Sequence, residues 1–161
     1  MKCPDSLVFW NLHRYGAPLV NHGSPGKKLS LEETVGLSLA LARRRPDVAR
    51  VLPVVLVKNK GRLDFERLKE VASHFGQNRA LGFFLDLTGK MTGDQKMSSE
   101  SKSLMDRVAS FEYFFTLPRW SRALKLEVER TPGLVRVWRF WMNASVESFE
   151  SCLRKFTVAR A

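Results

Sequence analysis

Residues 42–62 read ARRRPDVARVLPVVLVKNKGR, and the state of the apolar run at their centre decides what fold the chain can take. Asp47 beside Val48, with Pro46 at the edge, is a helix start. Pro53 argues the other way, because an interior proline removes an amide donor and clashes with the preceding turn, at a cost of about 3 kcal/mol. The β-branched run Val54-Val55-Leu56-Val57 would suit a buried strand. The helical segments on both sides favour a helix, and a helix is expected, with a strand over 51–57 as the alternative.

Working outward, Ser30 and Glu33 in S-L-E-E form a capping box at the start of a helix. Leu31, Val35, Leu37, Leu39 and Leu41 follow, the triplet Arg43-Arg44-Arg45 falls where cations complement the C-terminal dipole, and Pro46 ends the helix. Before Ser30, Pro4, Gly16, Pro18, Gly23, Pro25 and Gly26 predict an irregular N-terminal arm over 1–28, anchored by Phe9, Trp10 and Leu12. The rest, 29–161, reads as a single domain.

After the turn at Asn59-Lys60-Gly61, Leu63, Leu68, Val71, Ala72 and Phe75 mark a helical stripe, with Gly76 as its C-cap. Ala80, Leu81, Phe84, Leu85 and Leu87 give another helix, closed at Thr88-Gly89. Residues 92–103 are polar and serine-rich, which predicts a mobile loop or a weak helix start. Leu104, Val108, Phe111, Phe114 and Phe115 form an aromatic stripe that Pro118 ends. SRALKLEVER is a short amphipathic piece. In TPGLVRVWRFWMN, alternation and β-branched content indicate a strand, although Thr131-Pro132 is also a helix entry. Residues 145–156 read as a final helix. The expected fold class is mainly α, a compact helical domain with a small β element near 134–142.

Lys plus Arg number 27 against 16 Asp plus Glu, a net charge of +11 with hydrophobic content of 44%. That balance belongs to a globular protein, and the excess favours an anionic partner. Cys3 and Cys152 have no second cysteine at metal-ligand spacing and are expected as reduced thiols of a cytoplasmic protein. No apolar run approaches the ~20 residues that span a membrane, so no membrane partner is expected.

Catalytic and metal chemistry find little support in the residue pattern. Cys3, His13 and His22 match no compact zinc motif, and the carboxylate pairs Glu32-Glu33, Asp64-Glu66 and Glu127-Glu129 are neighbours on helices rather than converging groups. Asn21 to Lys28, NHGSPGKK, lacks the Gly-Lys-Ser/Thr ending of a phosphate loop. No cofactor, metal or catalytic residue is predicted.

The basic residues are the better candidates. Arg43, Arg44, Arg45, Arg50, Lys58, Lys60 and Arg62 cluster around the apolar run, as phosphate contacts require. Arg119, Arg122, Arg136, Trp138 and Arg139 interleave cations with an aromatic, a mixture that suits stacking on unpaired bases. The competing reading places Trp138 in the core. Together these twelve residues are the expected nucleic-acid-binding set.

The stretch GRLDFERLKEVASHFGQNRALGFFLDLTG, residues 61–89, resembles the C-terminal helical region of AbiEi-type antitoxins of type IV toxin–antitoxin systems. The matching positions are Leu63, Asp64, Arg67, Leu68, Glu70 and Ala72, then Arg79, Leu81, Gly82, Phe83, Leu85 and Gly89. The resemblance implies a helical module with a protein partner such as a toxin. Family members also carry an N-terminal winged helix-turn-helix that binds promoter DNA. The short Gly/Pro-rich arm has no counterpart to it, so DNA binding is not implied by the likeness. The expected function is a non-catalytic interaction module of antitoxin or defence-regulator type, binding protein or nucleic acid through a basic face. The alternatives are a nucleic-acid-binding accessory subunit of a processing enzyme and a phage or mobile-element structural protein.

Overall fold

A computed structural model describes residues 3–157. The helices are α1 (Asp5–Arg14), α2 (Leu31–Ala42), α3 (Pro46–Lys58), α4 (Phe65–His74), α5 (Asn78–Thr92), α6 (Gln95–Lys102), α7 (Ser121–Arg130), α8 (Gly133–Val137) and α9 (Val146–Thr157). Two short strands, β1 (Glu112–Tyr113) and β2 (Phe140–Trp141), pair in parallel with Glu112 opposite Phe140 and Tyr113 opposite Trp141. The fold is therefore mainly helical, as the sequence predicts.

The apolar run is helical through Pro53. Proline occupies the first turn of α3 at Pro46, where its missing donor costs nothing, and recurs at Pro53 in the interior. Burial offsets the interior defect. Val48, Ala49, Val51, Leu52, Val54, Val55 and Leu56 are all at most 5% exposed, against α2, α5 and α9. Each buried Val or Leu stabilises by about 1.5–3 kcal/mol, so the set outweighs one interior proline several times over.

The capping box forms as the sequence predicts. Glu33 N donates to Ser30 Oγ at 3.1 Å, and Ser30 N donates to Glu33 Oε2 at 3.0 Å. α4 ends in a Schellman motif: Gly76, at φ +66°, donates to Ser73 O at 3.0 Å and Gln77 donates to Ala72 O at 2.8 Å.

Four expectations are corrected. The N-terminal arm is not irregular throughout: LVFW lies in α1, and Val8, Phe9 and Leu12 join the main core. Past the turn at Tyr15–Gly16, the stretch 17–30 lacks regular structure. α5 continues past Thr88-Gly89 to Thr92, because Ser98 packs directly on Gly89 and seats α6 there. The polar stretch 92–103 holds a capped helix, α6, whose N-terminal amides Lys96 N and Met97 N donate to Asp94 Oδ1. The strand near 134–142 shrinks to Phe140–Trp141, since residues 133–137 form the short helix α8.

The aromatic stripe at 104–115 is not a helix either. Its carbonyls are taken by arginines from elsewhere: Arg139 Nη2 donates to Arg107 O at 2.7 Å, Arg79 Nη1 to Ser110 O at 2.8 Å, and Arg43 Nη2 to Tyr113 O at 3.0 Å. Arg43 Nε also donates to Phe114 O. Backbone acceptors must be satisfied somewhere, and here guanidinium groups supply part of what a helix would. Phe114 is thereby set in the core at 0% exposure while Val108 is left at 92%.

Candidate nucleic-acid interface

α2 separates two ends of the molecule with opposite treatment of charge. At its C-terminal end the arginine triplet is consumed internally. Arg43 stands over the rings of Phe114 and Phe140 and lies 3.4 Å from Glu112. Arg44 forms two bonds of 2.6 Å to Asp5, and Arg45 two bonds to Asp47 at 2.8 and 3.0 Å. The hydrogen bond from Arg44 holds the Asp5 carboxyl below its ordinary range against a smaller burial effect. Burial pushes Asp47 up, but the Arg45 bond and charge together bring it down.

The second predicted set is corrected in the same way. Trp138 is 1% exposed, and its Nε1 donates to Asp86 Oδ2 at 2.8 Å. It is core and offers no face to a base. Arg119 Nε donates to the buried Glu127 at 2.7 Å, and its other nitrogens bind the carbonyls of Phe115 and Leu117. Arg136 donates to Thr131 O and Val128 O, closing the end of α7. Arg139, at φ +61°, serves the turn into β2. The remaining predicted residues, Arg50, Lys58, Lys60, Arg62 and Arg122, are exposed and form no ion pair with a described residue. Arg50 lies on α3 beside α9, where its charge and that of Lys155 are both felt at Cys152, and Arg122 lies on α7.

Arg14, which sequence reasoning left out, joins Lys58 and Arg62 around Tyr15. The exposed Lys60 follows Asn59, and the exposed Lys27 and Lys28 lie on the strap beside α1, with the Lys27 charge felt at Cys3. Two buried asparagines assemble this end. Asn11, at 0% exposure, donates to Leu7 O and Lys27 O, both at 3.0 Å, and accepts from Leu29 N at 2.9 Å and Arg14 Nη1 at 2.8 Å. Asn59, at 3% exposure, donates to Tyr15 O and Val55 O, both at 2.8 Å, and accepts from Arg62. Lys58 Nζ reaches Gly16 O at 3.0 Å, and Tyr15 OH donates to Leu29 O at 2.9 Å. The ends of α1 and α3 and the stretch 27–29 are thus tied to one point. The guanidiniums of Arg14 and Arg62 stand over the Tyr15 ring at 5.4 and 5.9 Å, and Arg14 also covers Trp10 at 5.2 Å.

None of these six cations forms an ion pair with a described residue. The carboxylates nearby in the fold are held by backbone amides: Glu32 by Asp64 N, Glu33 by Ser30 N, Asp64 by Arg67 N. His13 and His22 stack on each other with ring centroids 4.0 Å apart. Among the described residues, no group of three or more His, Cys, Asp or Glu is placed to hold a metal ion. No helix there is long and apolar enough to cross a membrane. Comparison of the chain with protein-family models, curated proteins and solved structures finds no match.

Proposed function

We propose that the protein is a non-catalytic interaction module of the antitoxin or defence-regulator kind, whose cationic end engages nucleic acid. One observation carries this reading. Arg14, Lys58 and Arg62 are set around Tyr15, with the exposed Lys60, Lys27 and Lys28 on adjoining backbone, and no described carboxylate is paired to any of the six. Elsewhere, Arg43, Arg44, Arg45, Arg67, Lys69, Arg79, Lys90 and Arg119 have acidic partners. Cations without one, such as Arg50 and Arg122, are not fixed around a shared aromatic ring by buried asparagines as Arg14 and Arg62 are. The six cations outnumber the nearby carboxylates Glu32, Glu33 and Asp64, and a net excess of positive charge at one end draws polyanions. The two arginines among them are pre-set by buried asparagines, which lowers the ordering cost of binding.

The titratable side chains that could do chemistry have other employment. Asp64 and Asp94 cap helices, Glu127 is held by Arg119, and Asp86 accepts from Trp138. That distribution supports binding rather than catalysis.

A protein partner has its own support at the opposite end of α2. Trp120 is 87% exposed and Leu117, close by in sequence, 41%, and exposed aromatics anchor protein interfaces. Such a partner agrees with the likeness of residues 61–89 to AbiEi-type antitoxins, which implies a toxin. Recovery of the tagged chain from its native host, with and without nuclease, tests both halves. Co-purifying nucleic acid that nuclease removes supports the cationic end. A stoichiometric protein that survives nuclease supports the Trp120 end. A chain recovered alone and free of nucleic acid overturns the proposal.

A further inference from the structure

We infer that the cationic end around Tyr15 binds the phosphate backbone of double-stranded nucleic acid, without reading sequence and without stacking on bases. The inference rests on the reading of that end as a nucleic-acid face and specifies which form it takes.

Single strands gain affinity from two sources, phosphate contacts and aromatic faces on which unpaired bases stack. The Tyr15 end supplies only the first. Tyr15 already carries the guanidiniums of Arg14 and Arg62, its hydroxyl is spent on Leu29 O, and Trp10 is covered by Arg14. The two histidines stack on each other. Each aromatic ring at this end therefore has at least one face occupied by a ring or a cation.

The exposed tryptophan lies elsewhere. Thr116, four residues before Trp120, donates to Arg43 O at 2.7 Å, at the C-terminal end of α2, whereas Tyr15 is tied to Leu29 just before its start. A helix of 12 residues puts roughly 18 Å between those points. Trp138, the other candidate for stacking, is buried.

A site with many cations and few free aromatic faces gains chiefly in proportion to the charge density it meets. That density is highest on a duplex, with one charge per ~1.7 Å of axis. The cations are also arranged for backbone rather than base contact. Lys27, Lys28 and Lys60 are exposed and make no side-chain hydrogen bond to a described residue. Arg14 and Arg62 are each committed through one nitrogen to an asparagine. No bidentate pair is held ready for a guanine edge, the contact on which most direct readout depends.

Fluorescence anisotropy with the full chain tests this, using a labelled mixed-sequence DNA duplex, a scrambled duplex of the same length and each separate strand. The two duplexes should bind equally and several-fold tighter than the strands, with affinity falling steeply as salt rises. Replacing Lys27, Lys28 and Lys60 together by glutamine should flatten the slope of log affinity against log salt by roughly 0.9 for each phosphate no longer neutralised. Trp120→Ala should change nothing. Circular dichroism of the triple variant should match the parent, and the double variant K27Q/K28Q should give the same trend in smaller measure. Tighter binding to a single strand, a preference between the two duplexes, or weakening by Trp120→Ala would overturn the duplex assignment while leaving a nucleic-acid face in place. No binding of any probe at low salt would overturn both.

Discussion

The indole Nε1 of Trp138 donates to Asp86 Oδ2 at 2.8 Å, joining the turn after α8 to the middle of α5. The same ring lies against Gly82, one helical turn earlier, where a Cβ would run into its six-membered edge. Gly82 and Asp86 thus form a slot and a latch for one tryptophan. Lys90, 3.4 Å from Asp86 and one turn further on, balances the carboxylate.

Loss of the ring should be costly. Trp138→Ala should lower unfolding free energy by about 3–5 kcal/mol, the range for a large buried aromatic. Trp138→Phe keeps most of the apolar volume but strands Asp86, at a cost of about 1–3 kcal/mol. Gly82→Ala should cost a similar ~1–3 kcal/mol through overpacking. Urea denaturation of the three variants reads the order directly. A stable Trp138→Ala protein would contradict the buried position.

Arg43 should behave unlike Lys27, Lys28 and Lys60, although all four are basic. Its side chain is 14% exposed and serves two carbonyls and Glu112. Arg43→Gln should destabilise by about 1–3 kcal/mol, because partly buried acceptors lose their donors. Removing the three lysines should leave the melting temperature within the small spread expected of surface changes. A triplet substitution of Arg43 to Arg45 would therefore report on folding rather than on nucleic-acid affinity.

Asn11 holds the stretch 27–29 against α1 through two of its four hydrogen bonds. Asn11→Ala should leave the Leu29 amide and Lys27 carbonyl unpaired and cost about 1–3 kcal/mol. Hydrogen exchange should show faster exchange at Leu29 and around Tyr15, with the interior of α5 unchanged. Slow exchange at Leu29 in the variant would show that the arm is held by other interactions.

Acid should weaken the tie between α1 and the end of α2. Asp5 has a carboxyl lowered by the Arg44 hydrogen bond, and Asp47 is lowered by Arg45 once burial is offset. A carboxyl lowered in the folded state contributes stability that is present above the unfolded value, about 3.9 for aspartate, and lost as pH falls through the lower folded value. Denaturation midpoints should thus decline as pH drops through that window. Asp5→Asn should reduce the decline, and an equal decline in the variant would remove Asp5 as its source. Both pairs are well exposed, so the effect should be small.

Local chemistry made much of this fold legible in advance. The Ser30–Glu33 box, the Gly76 cap and the helix at Phe65–His74 follow from interactions within a few residues of one another, whereas the choice of helix over strand at 51–57, open in the sequence, rests on burial against α2, α5 and α9. Amphipathic spacing also put Leu68, Ala72, Leu81 and Leu85 in the core, where all four are fully buried. The segments that escaped such reading have long-range partners. LVFW packs as a helix against α2, and residues 104–115 are turns and irregular chain apart from β1, with carbonyls held by Arg43, Arg79 and Arg139.

The basic residues mark the boundary most sharply. Sequence determined that this chain carries 27 cations against 16 acids. Which of those cations are left without an acidic or carbonyl partner was decided by tertiary structure alone. An arginine near a helix end looks the same in sequence whether it faces solvent, an aspartate or a carbonyl dozens of residues away. Arg43 found Tyr113 and Phe114, Arg44 found Asp5, and Arg119 found Glu127. Arg14 and Arg62 were brought together over Tyr15 by Asn11 and Asn59 instead, with Lys58 beside them on Gly16 O. Charge is a property of the residue, but its availability depends on which acceptors the folded chain brings within hydrogen-bonding reach.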